Sequence, residues 1–287
     1  MWLLALLTFR EAWRKKVVLV AGVLTLFFLI LYGTGLHFIL GDIVHQDPVA
    51  GSFFDMMEAI LLFSMGVYLA SFMVAGLAIL AAAGSIAGEI ENGTLYPLAV
   101  RPLLRRDLLL GKFFGLAAML LTYAALFFLS MAGLIYWQTG LVVPGLLPAL
   151  CLFILKPMVI LSVTILGTTK FTTLGSGVFA FGLYILSVVG GMMEQIGALL
   201  GSTVIVYLGV VTNLIMPADA VYRRLVATVI DRIPAGNGHD FSFFNPQQIL
   251  GPFGSQSTPS DWMLVYTLFY AVFMLTVAVN IFKKRDI

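Results

Sequence analysis

Charge and cysteine are what this chain has least of. Only 10% of its 287 residues are Asp, Glu, Lys or Arg, 61% are apolar, and the mean hydropathy is +1.04. So little charge excludes a water-soluble domain, in which about 25% of residues are charged. The single cysteine, Cys151, excludes an intrachain disulfide and leaves the redox compartment open. The chain has no G-x-x-x-x-G-K-[ST] phosphate loop, no H-E-x-x-H pair and no C-x-x-C. Its histidines, His37, His45 and His239, are scattered at or beyond the ends of the apolar runs, as solvated loop residues are. No nucleophile–base pair stands at membrane depth, so neither a catalytic site nor a metal or other cofactor of its own is expected. No nucleic-acid partner is expected either.

What remains is hydrocarbon in long runs. A spanning helix needs about 20 apolar residues, and six stretches qualify: Val17–Leu40, Ala59–Ala83, Leu108–Trp137, Val142–Thr168, Thr173–Met193 and Trp262–Phe282. The expected fold is all-α, a single polytopic membrane helix bundle over 1–287. Ahead of it, residues 1–16 read "MWLLALLTFREAWRKK". Trp2, Leu3, Leu6, Leu7, Phe9 and Trp13 share one helical side and Arg10, Arg14 and Lys15 the other, which suits a helix in the membrane interface. The cations follow the apolar part, the reverse of a signal peptide.

Placing alternate loops on opposite sides sends every Lys and Arg but Lys156, Arg223, Arg224 and Arg232 to one face. Most acids, Glu194, Asp219, Asp231 and Asp261 among them, fall on the other. The positive-inside rule then puts both termini in the cytosol, in the cytoplasmic membrane of a prokaryote. The largest extracytoplasmic region is 194–260. Within it Ile196–Met216 is long enough to span, yet a seventh span would carry the basic C-terminus to the wrong side. A re-entrant or interfacial helix on the outer side is expected instead, its glycines and Asn213 packed against protein.

Away from the ends of the apolar runs the one cation is Lys156, followed by the helix-loosening Pro157. Two readings stay open: Lys156 lines a substrate path and attracts an anionic head group, or it snorkels or bonds to carbonyls freed at a kink.

One stretch interrupts the hydrocarbon with glycines, prolines and both signs of charge: "AGEIENGTLYPLAVRPLLRRDLLLGK", 87–112. Ala81–Asn92 continues as helix from the second span, and Gly93 ends it in the left-handed conformation. Thr94 caps a second short helix with Pro97 in its first turn. Arg101, before Pro102, leaves the helical region, and Asp107 favours the start of the third span. The outcome is a rigid charged knuckle over 84–107.

This stretch resembles the signature of ABC-2 type permeases, roughly G-E-x-x-x-G-T, then R/K-P-x-x-R and a terminal G-K. "TFREAWRKK" resembles the family's cytosolic leading helix, "MPADAVYRRL" the segment before its last outer loop, and "YTLFYAVFMLTVAVNIFKKRDI" its final span. The likeness is nearest to the six-span permeases that include the nitrous-oxide-reductase maturation permease. It implies a homodimer with two separate ABC-type ATPase subunits, which bind the ATP and Mg and dock on a cytosolic coupling helix. Carried over, Glu89, Glu91, Gly93, Thr94, Arg101, Pro102, Arg105, Gly111 and Lys112 fall on that coupling signature. Glu89 and Glu91 then contact the ATPase or brace Arg101 and Arg105, while Arg105 and Arg106 have membrane-lipid head groups as their other reading. The implied activity is ATP-driven transport across the membrane, outward in direction. The alternative is an anchor that transmits ATPase motion to an extracytoplasmic protein without moving a solute.

Overall fold

A computed structural model describes residues 2–43, 51–93, 105–232, 254–255 and 257–284. Those residues form helices and connections, with no strand among them. The helices are α1 (Trp2–Arg14), α2 (Lys16–Ile43), α3 (Gly51–Ala83), α4 (Ala87–Glu91), α5 (Arg105–Thr139), α6 (Leu146–Lys170), α7 (Thr173–Leu200), α8 (Thr203–Ile215), α9 (Ala218–Ile230) and α10 (Asp261–Lys284). Six of them, α2, α3, α5, α6, α7 and α10, carry runs long and apolar enough to cross a membrane. The chain is an all-α polytopic membrane bundle.

The bundle has an inside and a rim. Spans α3 and α6 are the most enclosed, and α2 and α10 the least. The centre is aromatic: Phe128 of α5 packs against Phe63 of α3 at 5.6 Å and Phe153 of α6 at 5.2 Å between ring centroids. The rim is apolar too, with Leu24, Phe27 and Leu31 of α2 and Phe269 and Phe273 of α10 exposed. A rim of that kind suits lipid or a partner helix and would be costly in water.

Arg105, Lys170 and Lys283 close their spans at one end of the bundle, where Arg105 donates a hydrogen bond to the Lys283 carbonyl. This end is the basic face. From it α1 runs along α5, so close that a Cβ on Gly115 would stand 2.6 Å from the Ala5 carbonyl oxygen. Of the small pair Gly111 and Gly115, Gly115 therefore serves a helix contact. Trp2, Leu3, Leu7 and Trp13 of α1 stay exposed, the apolar side expected of an interfacial helix.

At the opposite end the chain turns back. Gly201 adopts φ 67°, and the Ser202 N–H reaches the Gly197 carbonyl at 2.9 Å, a helix-ending motif that reverses direction. Helix α8 then descends along α7, because Gly190 and Gly209 remove the side chains that would separate them. A Cβ on Gly209 would lie 2.6 Å from the Gly190 oxygen. After α8 the path bends by 110° into α9. The sequence pattern expects one re-entrant or interfacial helix over Ile196–Met216; instead α7 runs on to Leu200 and α8 begins at Thr203, with Gly209 and Asn213 buried as expected. Helix α9 is buried on nearly every side.

Candidate functional site

Two groups of polar residues stand out against the hydrocarbon. The first is at the basic face. Helix α3 ends at Ala83 rather than running to Asn92, and residues 84–86 form a break before the single turn and a half of α4. Lys112 of α5 explains the break. Its ammonium accepts no competitor from solvent, being buried, and it donates to the Ser85 carbonyl that the break leaves free and pairs with the Glu89 carboxylate. One turn on, Glu91 accepts from both the N–H of Thr173 at 2.9 Å and its hydroxyl at 2.7 Å. That carboxylate sits where the first amide groups of α7 need an acceptor and where the helix dipole favours negative charge. Among the described residues Glu89 thus pairs with Lys112 and Glu91 with Thr173; the expected partner Arg101 lies outside them.

Gly93 closes α4 with φ 67°, the left-handed conformation expected of it. Its amide bonds to the Ile90 carbonyl at 3.2 Å. Arg105 opens α5, and Asp107 lies in its first turn. Gly111 is buried one residue before Lys112. Thr94, Arg101 and Pro102 lie outside the described residues. The knuckle is therefore fastened to two spans at once, to α5 through Lys112 and to α7 through Thr173.

The second group lies in the bundle and was not expected. Lys156 is not the only ion at depth: it is 3% exposed, with Glu194 at 5%, Asp219 at 4% and Arg223 at 3%. Sequence reasoning placed Glu194, Asp219 and Arg223 in an outer aqueous region. The hairpin instead folds them inward. Arg223 reaches Glu194 at 2.8 Å and Asp219 at 3.2 Å, the latter an ion pair too oblique for a hydrogen bond. It also donates to the Ser257 carbonyl at 3.0 Å. Glu194 in turn accepts from Asn213 at 3.1 Å and from the Ser257 hydroxyl at 2.7 Å. Two acids and two bases make the group neutral, which is how charge survives in a medium of low dielectric.

Lys156 completes the group at a distance. Its ammonium donates to the Ser71 hydroxyl at 3.0 Å and stands over the rings of Tyr184 and Tyr222, at 5.3 and 5.4 Å from their centroids. Ring faces attract a desolvated cation, and Asp219 acts on it through space. Lys156 is thus buried among side chains of α3, α7 and α9.

The backbone of the bend is also satisfied. Ser187 of α7 donates to the Met216 carbonyl at 2.6 Å and accepts from the Asp219 N–H at 3.0 Å. Tyr266 and Tyr270 of α10 donate to the Leu214 and Ile215 carbonyls at 2.6 and 2.7 Å. Non-helical backbone at membrane depth is tolerated only with such partners.

A short helix clamped to two spans and a bent helix pair resting on a buried polar cluster are the two polar features of this helical membrane protein among the described residues. The family model described as ABC-2 family transporter protein matches residues 2–287. The chain belongs to that family and is a multi-pass membrane permease of an ABC transporter. No curated protein matches it with significant similarity.

Proposed function

We propose that this permease works as a homodimer, each copy docking a separate ATP-binding subunit on the element over 84–107, and that it moves its substrate outward across the cytoplasmic membrane of a prokaryote. Both termini and the basic face are then cytosolic. ATP and Mg bind the partner, and this chain contributes the path and the lever. The observation that carries the reading is the double clamp on α4: Glu89 on Lys112 and Glu91 on Thr173. A push on this element reaches α5 and α7 together, which a plain loop would not achieve.

Glu89, Glu91, Gly93, Thr94, Arg101, Pro102, Arg105, Gly111 and Lys112 are on this reading the coupling residues. Glu89 and Glu91 act by holding the element in shape, and the stretch between Gly93 and Arg105 offers the docking surface. Lys156 lies beside the path in this conformation rather than facing it. The test is purification of the tagged protein from its host in mild detergent. A stoichiometric ATP-binding subunit is expected, lost or uncoupled in Glu89→Arg and Gly93→Val. A permease that is alone at every expression level, or variants with full assembly and ATPase stimulation, would sink the proposal. Reconstituted pairs that hydrolyse ATP without solute flux would point instead to an anchor acting on an extracytoplasmic protein.

A further inference from the structure

We infer that α7 is a rod joining the docking element to a buried latch, and that Glu194, Asp219 and Arg223 are the positioning residues of that latch, which keeps the outer half of the permease closed. The inference rests on the docking role of α4 and adds where the stroke goes.

Helix α7 runs unbroken for 28 residues, with no proline inside it, which at 1.5 Å per residue is about 42 Å. Three of its side chains or backbone groups are fastened to moving parts. Thr173 at its start is held by Glu91. Ser187, near its middle, holds both sides of the bend through Met216 and Asp219. Glu194, farther along, holds Arg223 and Asn213. A shift imposed at Thr173 along the helix axis is carried toward Ser187 and Glu194, because an unbroken hydrogen-bonded helix resists compression.

Arg223 ties α9 to the outer part of α7 and to the segment ahead of α10. Its three nitrogens point to three elements: Glu194 on α7, Asp219 on α9 and the Ser257 carbonyl ahead of α10. Moving α7 away from α9 breaks the Glu194–Arg223 pair, while Asp219 stays with Arg223 inside α9. The break strips a buried carboxylate of its cation, which is tolerated only if water enters. Asn213 already brings a buried Oδ1 with no hydrogen-bond partner among the described residues, a place for such water. The cluster thus has a dry closed state and a wet open one, the kind of bistable element through which small shifts become large ones.

The experiment reads water entry directly. The permease with its ATPase is placed in nanodiscs, with Cys151→Ser and Ala227→Cys, the latter buried one turn beyond Arg223 on α9, and its labelling by a water-soluble maleimide is timed. Slow labelling without nucleotide and at least tenfold faster labelling with ATP and vanadate are expected. Adding Glu91→Ala should hold the rate at its nucleotide-free value while ATP is still hydrolysed. Adding Glu194→Gln, or the charge-keeping Arg223→Lys, should raise the nucleotide-free rate about tenfold, an arm that requires no ATPase. A cysteine at Leu116, buried on α5, reports general loosening and should stay unlabelled throughout. Labelling that ignores nucleotide in a complex that hydrolyses ATP, or ignores Glu194→Gln, overturns the latch. Nucleotide-driven labelling that survives Glu91→Ala overturns the rod. Failure of any ATPase to co-purify overturns the docking reading itself, and the rod with it.

Discussion

At the basic face, Glu89 shares Lys112 with a free carbonyl while keeping 29% of its side chain exposed; deep in the bundle, Glu194 and Asp219 share Arg223 and all three are under a tenth exposed. Both are acid–base pairings between helices, and they differ in what surrounds them. Near water an ion pair is a weak fastener that can be remade, its worth reduced by solvent. Away from water breaking the same pair is costly, because a lone buried charge has no other partner until water reaches it. On the proposed reading the first pairing shapes a docking element beside solvent, and the second is a latch that opens only as water enters.

The comparison is broken most severely at Arg223. Arg223→Met removes the common cation and leaves Glu194 and Asp219 buried and opposed, so a loss of about 3–5 kcal/mol is expected. Thermal unfolding in detergent checks it. A smaller loss in the triple variant with Glu194→Gln and Asp219→Asn would confirm that the damage comes from stranded charge rather than lost packing. A loss under about 1 kcal/mol for Arg223→Met alone would show that the cluster is hydrated in the resting state.

The two regions also differed in how far they could be read in advance. The knuckle was legible because its residues are contiguous: acids, a glycine and bases within 87–112 announce a break in hydrocarbon. Its clamps were less so, since Thr173 is an ordinary threonine until α7 is known to start beside Glu91. The six spans were legible from length and hydropathy, with boundaries close to those found. The buried cluster was not, and the reason is specific. Glu194, Arg223 and Ser257 are far apart in sequence, and a charge flanking an apolar run looks the same whether it faces water or folds inward. A signal did exist: Asp219 and Arg223 stand four residues apart around Tyr222, in a helix whose other positions are mostly small or aliphatic. No exposed helix needs apolar residues on every side.

A lesser break is expected at Lys112. Lys112→Met strands Glu89 and the Ser85 carbonyl at the end of α3, where partial exposure lets water replace the ammonium. A stability loss of about 1–3 kcal/mol is expected, with α4 detached and ATPase stimulation reduced. Hydrogen exchange should localise the change to residues 84–93. Faster exchange confined to the α7–α9 hairpin instead would mean that Lys112 serves the core and not the knuckle.

Lys156→Met should change stability less again. Methionine fills similar volume, and its sulfur suits the faces and edges of Tyr184 and Tyr222. The change removes one of the two cations near Asp219 but leaves Arg223 in place. The expected outcome is a folded permease that still binds its ATPase and transports at an altered rate. Unchanged flux would make Lys156 a structural cation alone.

The smallest change in stability belongs to Thr173→Val, and it separates holding from coupling. Valine keeps the backbone N–H that Glu91 accepts but deletes the hydroxyl, so one of two contacts survives at an exposed helix end. Its branched shape matches threonine, so packing is undisturbed. No measurable shift in unfolding temperature is expected, because an exposed contact of this kind carries little net energy. Coupling is a different quantity. If the stroke passes through this clamp, substrate moved per ATP falls while ATPase assembly is intact. Transport per ATP equal to that of the parent would mean that α5, through Lys112, carries the motion alone.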